Sequence, residues 1–189
     1  MTKKLFSLAV IGAALGACAD SPVSPVDAEP QLARSAAAEA AAAAKPGEYS
    51  IVELAGMTPA LSTLVFAIET SDAECGTNFA GALSGGGQFT VFAPTNEAFD
   101  ALIGALGADL VLSCDVLPTV LAYHVTRGRH TSNSVLAVRS FRMLSGERAM
   151  IDGTTIAGAP LNLDLIDISA SNGIVHVVDA VLLPPSITG

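Results

Sequence analysis

A single α+β domain is the fold class this sequence predicts, and three observations predict it. Segments with helical spacing of apolar residues occupy the first half of the folded region. Short strand-like segments parted by glycine turns occupy the second half, and a continuous apolar run closes it. Hydrophobic residues make up 51% of the 189 positions, which is ample for one proper core.

Folded sequence is expected from about Tyr49. Leu61, Leu64, Val65 and Ile68 stand at i, i+3, i+4 and i+7, so a helix runs there with one apolar stripe. Thr58 and Pro59 are a natural N-cap and first helical residue for it. Gly85-Gly86-Gly87 is a flexible break. Phe89 to Ala93 then reads as a short strand ended by Pro94. Thr95 caps the following helix, where Glu97 and Asp100 favour the positive end of the dipole and Ala98, Phe99, Leu102 and Ile103 form the buried side. Val116 to Tyr123 is expected to be helical, with Pro118 in its first turn. Beyond His124 the pattern turns to strands: Arg139 to Leu144, Arg148 to Ile151 and Thr154 to Ala157. Leu161, Leu163 and Leu165 alternate with Asn162 and Asp164, which predicts one buried face at period two. Ser171-Asn172-Gly173 is a tight-turn signal. Ile174 to Leu183, apolar on nearly both faces, belongs in the middle of a layered core.

The N-terminus reads as an address. Lys3 and Lys4 form a positive region, and Leu5 to Ala17 are uncharged and largely apolar. That run is shorter than the about 20 residues a spanning helix needs, so residues 1–17 read as a signal peptide. Leu15-Gly16-Ala17-Cys18 resembles a bacterial lipobox, in which the Cys18 thiol is lipidated and the chain is cut just before it. Ala19, where an Asp often marks inner-membrane retention, favours an outer surface. Residues 18–46 are rich in Pro and Ala and read as a tether lifting the domain from the lipid. An exported protein anchored in the bacterial envelope, facing periplasm or exterior, follows as an expectation.

The chain carries 9 Lys and Arg against 18 Asp and Glu, for a net charge of -9. Such a balance argues against nucleic acid, which needs clustered cations, and against anionic lipid other than through the Cys18 anchor. Among the His at 124, 130 and 176 no HxH or HExxH spacing exists, so no metal is expected. No GxSxG elbow surrounds any Ser, and the GGG run precedes a strand and not a helix. Neither catalysis nor a cofactor is expected.

Three stretches resemble the fasciclin (FAS1) family. Phe89-Thr90-Val91-Phe92-Ala93-Pro94-Thr95-Asn96-Glu97-Ala98-Phe99 is similar to its first signature. Leu121-Ala122-Tyr123-His124-Val125 is similar to its central Tyr-His motif. Ser171-Asn172-Gly173-Ile174-Val175-His176-Val177-Val178-Asp179, on to Leu183-Pro184, is similar to its second. The resemblance implies one FAS1 domain over 47–187, a wedge of β-strands packed against several helices. It also implies a surface adhesion or interaction module for a protein or glycan partner. Some relatives instead carry an apolar small molecule such as a carotenoid, and this is the alternative.

The motif residues then carry two readings each. Tyr123 and His124 correspond to a region implicated in integrin binding in some animal members; otherwise they join helix to strand, one ring buried and the imidazole held by backbone, which is the preferred reading. His176 is read as a hydrogen-bonded core residue, Asp179 as bonded to backbone at a strand end or turn, and Thr95 and Asn172 as structural polar residues of the motifs. His130 is expected in a solvated loop beside Arg127 and Arg129, the one basic spot noticed. That spot is either a contact for an anionic glycan or ordinary loop charge. Cys75 and Cys114 are either a disulfide, as an isolated pair in an exported protein commonly is, or two thiols. A bridge would close a loop of about 40 residues, for which the chain-entropy model gives about 4 kcal/mol as an upper value.

Overall fold

The structure, a computed structural model, describes residues 47–188. The signal segment 1–17, Cys18 and the tether 18–46 lie outside the described residues.

The first helix, α1 (Ile51–Met57), begins at a capping box: Ser50 Oγ accepts from Glu53 N at 3.3 Å, and Ser50 N donates to Glu53 Oε2 at 2.7 Å. A 3-10 turn (Pro59–Leu61) leads into α2 (Ser62–Glu74), whose buried residues Leu64, Ala67, Ile68 and Ser71 keep the helical stripe. Pro59 does stand at the start of that turn. The Thr58 hydroxyl, however, donates back to Leu54 O at 2.8 Å and caps nothing ahead of it. Helix α3 (Phe79–Ser84) follows, its first amides Phe79 N and Ala80 N donating to the Asp72 carboxylate of α2 at 2.7 and 2.8 Å.

Strand β1 (Phe89–Pro94) ends where Thr95 Oγ1 accepts from Ala98 N at 3.3 Å, opening α4 (Asn96–Leu106). Ala98, Phe99 and Leu102 of α4 are buried as expected, whereas Ile103 is only half-buried. Then come α5 (Ala108–Val111), α6 (Leu117–Tyr123) with Pro118 in its first turn, β2 (Val125–Arg127) and α7 (Ser132–Leu136). The remaining strands are β3 (Ser140–Arg142), β4 (Arg148–Asp152), β5 (Thr155–Ile156), β6 (Ala159–Pro160), β7 (Ile168–Ala170) and β8 (Gly173–Val178). A last short helix, α8 (Pro185–Thr188), closes the described chain.

Two four-stranded sheets result, ordered β2-β1-β8-β7 and β3-β4-β5-β6. In the first, β1 and β8 run parallel at the centre, with Phe92 opposite His176 and Pro94 opposite Val178. Both faces of that central pair are covered, as parallel strands require. Val91, Ala93 and Val175 face a core shared with α1, α2, α4 and α6, while Phe92 and Val178 face a second core built with the other sheet around Phe141, Ala149 and Ile156. The sheets are stitched at two points, where Thr126 bridges Met143 and Leu161 bridges Val178. The result is helices, sheet and sheet, the wedge that the resemblance implies.

Two expectations about strands are corrected. The Leu161–Leu165 alternation is no strand face. Leu161 and Leu165 are buried, but Leu163 is 56% exposed and Asn162 is buried. The segment turns instead: Leu165 N donates to Asn162 O, and Asn162 N donates to Val177 O. The final apolar run, in turn, is strand only as far as Val178. Its remainder, through Leu182, packs as irregular chain under the second core.

Candidate functional site

Asn172 occupies the turn between β7 and β8, with Ala170 paired to Gly173. Its buried amide is fully used. Oδ1 accepts from Ile51 N at 2.9 Å, and Nδ2 donates to Leu83 O and to Gly85 O. One side chain therefore fixes the start of α1 and the end of α3 against the central sheet. Gly173 beside it has no room for a side chain, since a Cβ there would stand 2.1 Å from Phe89 O.

Tyr123 and His124 end α6 deep inside, each 2% exposed. The Tyr123 hydroxyl donates to Arg148 O at 3.0 Å. Burial raises its pKa, with the Glu147 charge adding to the effect. His124 Nδ1 donates to Val120 O at 2.7 Å and Nε2 accepts from Leu182 N at 2.9 Å. Burial holds its pKa down at about 4, although the Val120 carbonyl works the other way. Tyr123 thus ties α6 to β4, and His124 straps the C-terminal segment onto the core. Neither is presented to a partner in this structure.

His176, 1% exposed, stacks on Phe92 with ring centroids 5.6 Å apart. Its Nδ1 accepts from Asp167 N and its Nε2 donates to His130 O at 2.8 Å. Burial lowers its pKa. It ties β8 to two loops. The Asp167 carboxylate reaches Ser132 N at 2.7 Å and the Ser132 hydroxyl. Asp179, just past β8, has a side-chain partner and not the backbone one expected: its carboxylate accepts from Asn162 Nδ2 at 3.1 Å.

His130 is not solvated loop. Its ring lies 4.7 Å from Phe141 and its Nε2 bonds Arg127 O at 2.9 Å, leaving it half-buried. Nor do Arg127 and Arg129 act as one spot. Arg129 is spent on the fold, donating to Ala170 O at 2.9 Å and Ser169 Oγ at 2.8 Å across the sheet edge. Arg127 instead faces an open groove of about 530 Å³, lined also by Thr126, His130, Phe141, Arg142 and Met143.

Cys75, the last cap of α2, is bridged to Cys114 ahead of α6, with Cα atoms 5.2 Å apart. Among the described residues no group of three His, Cys, Asp or Glu is placed to hold a metal ion. No single described helix is long and apolar enough to cross a membrane. A cavity between α2, α3 and β1 measures only about 10 Å³, room for one water and not for a carotenoid.

The fasciclin domain family matches residues 59–184. Over 154 residues the chain is 36% identical to protein sll1483 of Synechocystis sp., covering 76% of this chain and 78% of that protein. Over 174 residues it is 32% identical to immunogenic protein MPB70 of Mycobacterium bovis, covering 87% and 88%. Cell surface glycolipoprotein MPB83 of the same species is 30% identical over 138 residues, covering 72% of this chain and 61% of that protein. Among solved structures, a FAS1 domain pair from the insect cell adhesion molecule fasciclin I superposes with a TM-score of 0.58 at 15% identity. That likeness, of fold alone, covers 74% of this chain and 52% of the other.

Proposed function

The chain belongs to the fasciclin family, and on that premise we propose that it is an exported, lipid-anchored surface module that works by binding a protein or glycan partner, with no catalysis of its own. The observation that carries this reading is how the motif side chains are used. Asn172, His124 and His176, the groups with the most chemistry to offer, spend both polar ends of their side chains on holding layers together. What remains for function is the surface, held rigid. The bridge between Cys75 and Cys114 supports an oxidising compartment. A cell surface glycolipoprotein among the relatives supports surface display. Cys18 is the residue proposed to carry lipid, with 18–46 as its tether.

The test is made on cells expressing the full chain. Fatty-acid labelling is expected on the wild type and lost in Cys18→Ser. Cells displaying the protein are expected to adhere to matrix- or glycan-coated surfaces more than cells lacking it. Equal adhesion of both cell types would overturn the binding reading, and labelling that survives Cys18→Ser would overturn the anchor.

A further inference from the structure

The described residues contain no lysine, and their five arginines all lie from Arg127 to Arg148. On an acidic protein that is a strong segregation of charge, and strand pairing concentrates it further. Thr126 bridges Met143 in antiparallel register, which sets Arg127 opposite Arg142. In the β3–β4 pair, Arg142 stands opposite Arg148. Arg127, Arg142 and Arg148 are therefore successive cross-strand neighbours, one on each of β2, β3 and β4, and all three are exposed. Adjacent strands lie about 4.8 Å apart, so the row spans about 10 Å. Like charges directly opposite one another destabilise a sheet.

Nothing among the described residues neutralises the row. The guanidinium groups of Arg127 and Arg142 form no hydrogen bond or ion pair with another described residue. Arg148 donates only to Ser140 Oγ, at 3.2 Å. The one carboxylate within the segment, Glu147, turns away to accept from Ser186 N and Ser186 Oγ at 3.3 and 2.6 Å. Arg127 and Arg142 line the same open groove of about 530 Å³.

We propose that this groove binds an anionic glycan, its carboxylate or sulfate groups seated between Arg127 and Arg142 and continuing towards Arg148. The proposal rests on the binding-module reading above and names the partner class. Guanidinium groups grip planar and tetrahedral oxyanions through paired hydrogen bonds. A saccharide chain with one charge every sugar or two matches a short row of three cations. A nucleic acid, far denser in charge, meets a protein of net charge -9 and a groove whose Phe141 ring is 8% exposed and whose His130 ring is turned against it, which leaves no platform for stacked bases. An acidic peptide would need apolar anchor pockets, and the groove's Met143 is 3% exposed.

The test uses the full chain on four immobilised probes: heparin, polygalacturonate, neutral dextran and polyglutamate. Binding to one or both charged polysaccharides but not to dextran is expected, weakening as salt rises from about 50 to about 500 mM. Arg127→Ala and Arg142→Ala should each weaken it about tenfold. Arg139→Ala, which removes the same charge outside the row, should stay within about twofold, and Tm should not fall in any of the three. Preference for polyglutamate would overturn the proposal in favour of an acidic protein partner. Equal loss in Arg139→Ala, or no binding to either charged polysaccharide, would overturn it outright. Displaying cells separate the two levels. Adhesion that persists in the Arg127→Ala/Arg142→Ala protein sinks this site alone, whereas wild-type cells that do not adhere sink the module reading itself.

Discussion

Asn172 shows how much one polar side chain can organise. It satisfies an amide of α1 and two carbonyls near the end of α3, in a buried position where each unpaired group is expensive. Asn172→Ala is expected to cost about 2–4 kcal/mol in urea denaturation. Asn172→Asp should cost at least as much, because a carboxylate keeps the acceptor for Ile51 N but turns a negative charge on the carbonyls of Leu83 and Gly85. An Asp variant as stable as wild type would sink this account of the turn. The turn itself was legible from Ser171-Asn172-Gly173, yet the partners were not, since Leu83 lies 89 positions away. The same limit explains His130. Its neighbourhood in sequence is polar and charged, and only the fold brings Phe141 against its ring.

At the level of elements, β1, α4 and α6 fall where their apolar spacing and their Thr and Pro residues put them, and α2 keeps its apolar spacing but starts at Ser62, beyond the turn that Pro59 opens. The capping box of Ser50 and Glu53 has a sequence signal of its own, a Ser followed three residues later by a Glu. The segment Leu161–Leu165 failed for a physical reason. Alternation at period two marks a strand only when a ladder to a neighbour strand continues, and here Asn162 N reaches Val177 O of β8 but the chain turns at once, Leu165 N donating back to Asn162 O. The arginine row was out of reach in the same way, because register between β2, β3 and β4 is a tertiary fact. The bridge between Cys75 and Cys114 joins the end of α2 to the approach of α6 across a sequence separation of 39. A Cys75→Ser/Cys114→Ser protein should still fold but lose about 2–4 kcal/mol, read as a lower Tm. An unchanged Tm would mean that the bridge constrains nothing the core does not already hold.

Over the whole molecule, two buried imidazoles act as stitches between layers, and this gives stability a pH dependence. His124 is neutral in the fold because burial holds its pKa at about 4, against an ordinary 6.5, and burial lowers that of His176 as well. An unfolded chain therefore takes up protons at both positions before the folded one does. The stabilisation is fully present above about pH 6.5 and is lost as pH falls through the window towards 4. For His124 the loss amounts to about 3 kcal/mol at most. Urea titrations at pH 7 and pH 5 should show the midpoint falling, and His124→Gln should remove part of that fall. A midpoint indifferent to pH across this interval would contradict the neutral stitches.

The position of the disulfide also governs how the protein would behave under tension. At the start of the described residues Gly47 N donates to Ser169 O and Ser171 N donates to Tyr49 O, so a pull applied at Gly47 loads the β7–β8 hairpin first. Once those contacts and the Asn172 clasp give way, α1 and α2 peel off as far as Cys75. There the load jumps across the covalent bridge to Cys114 and bypasses everything between. At about 3.4 Å per extended residue, roughly 130 Å of contour is withheld from stretching. The length this domain could release under tension is thereby capped, and the strands carrying Arg127, Arg142 and Arg148 lie on the far side of that stop.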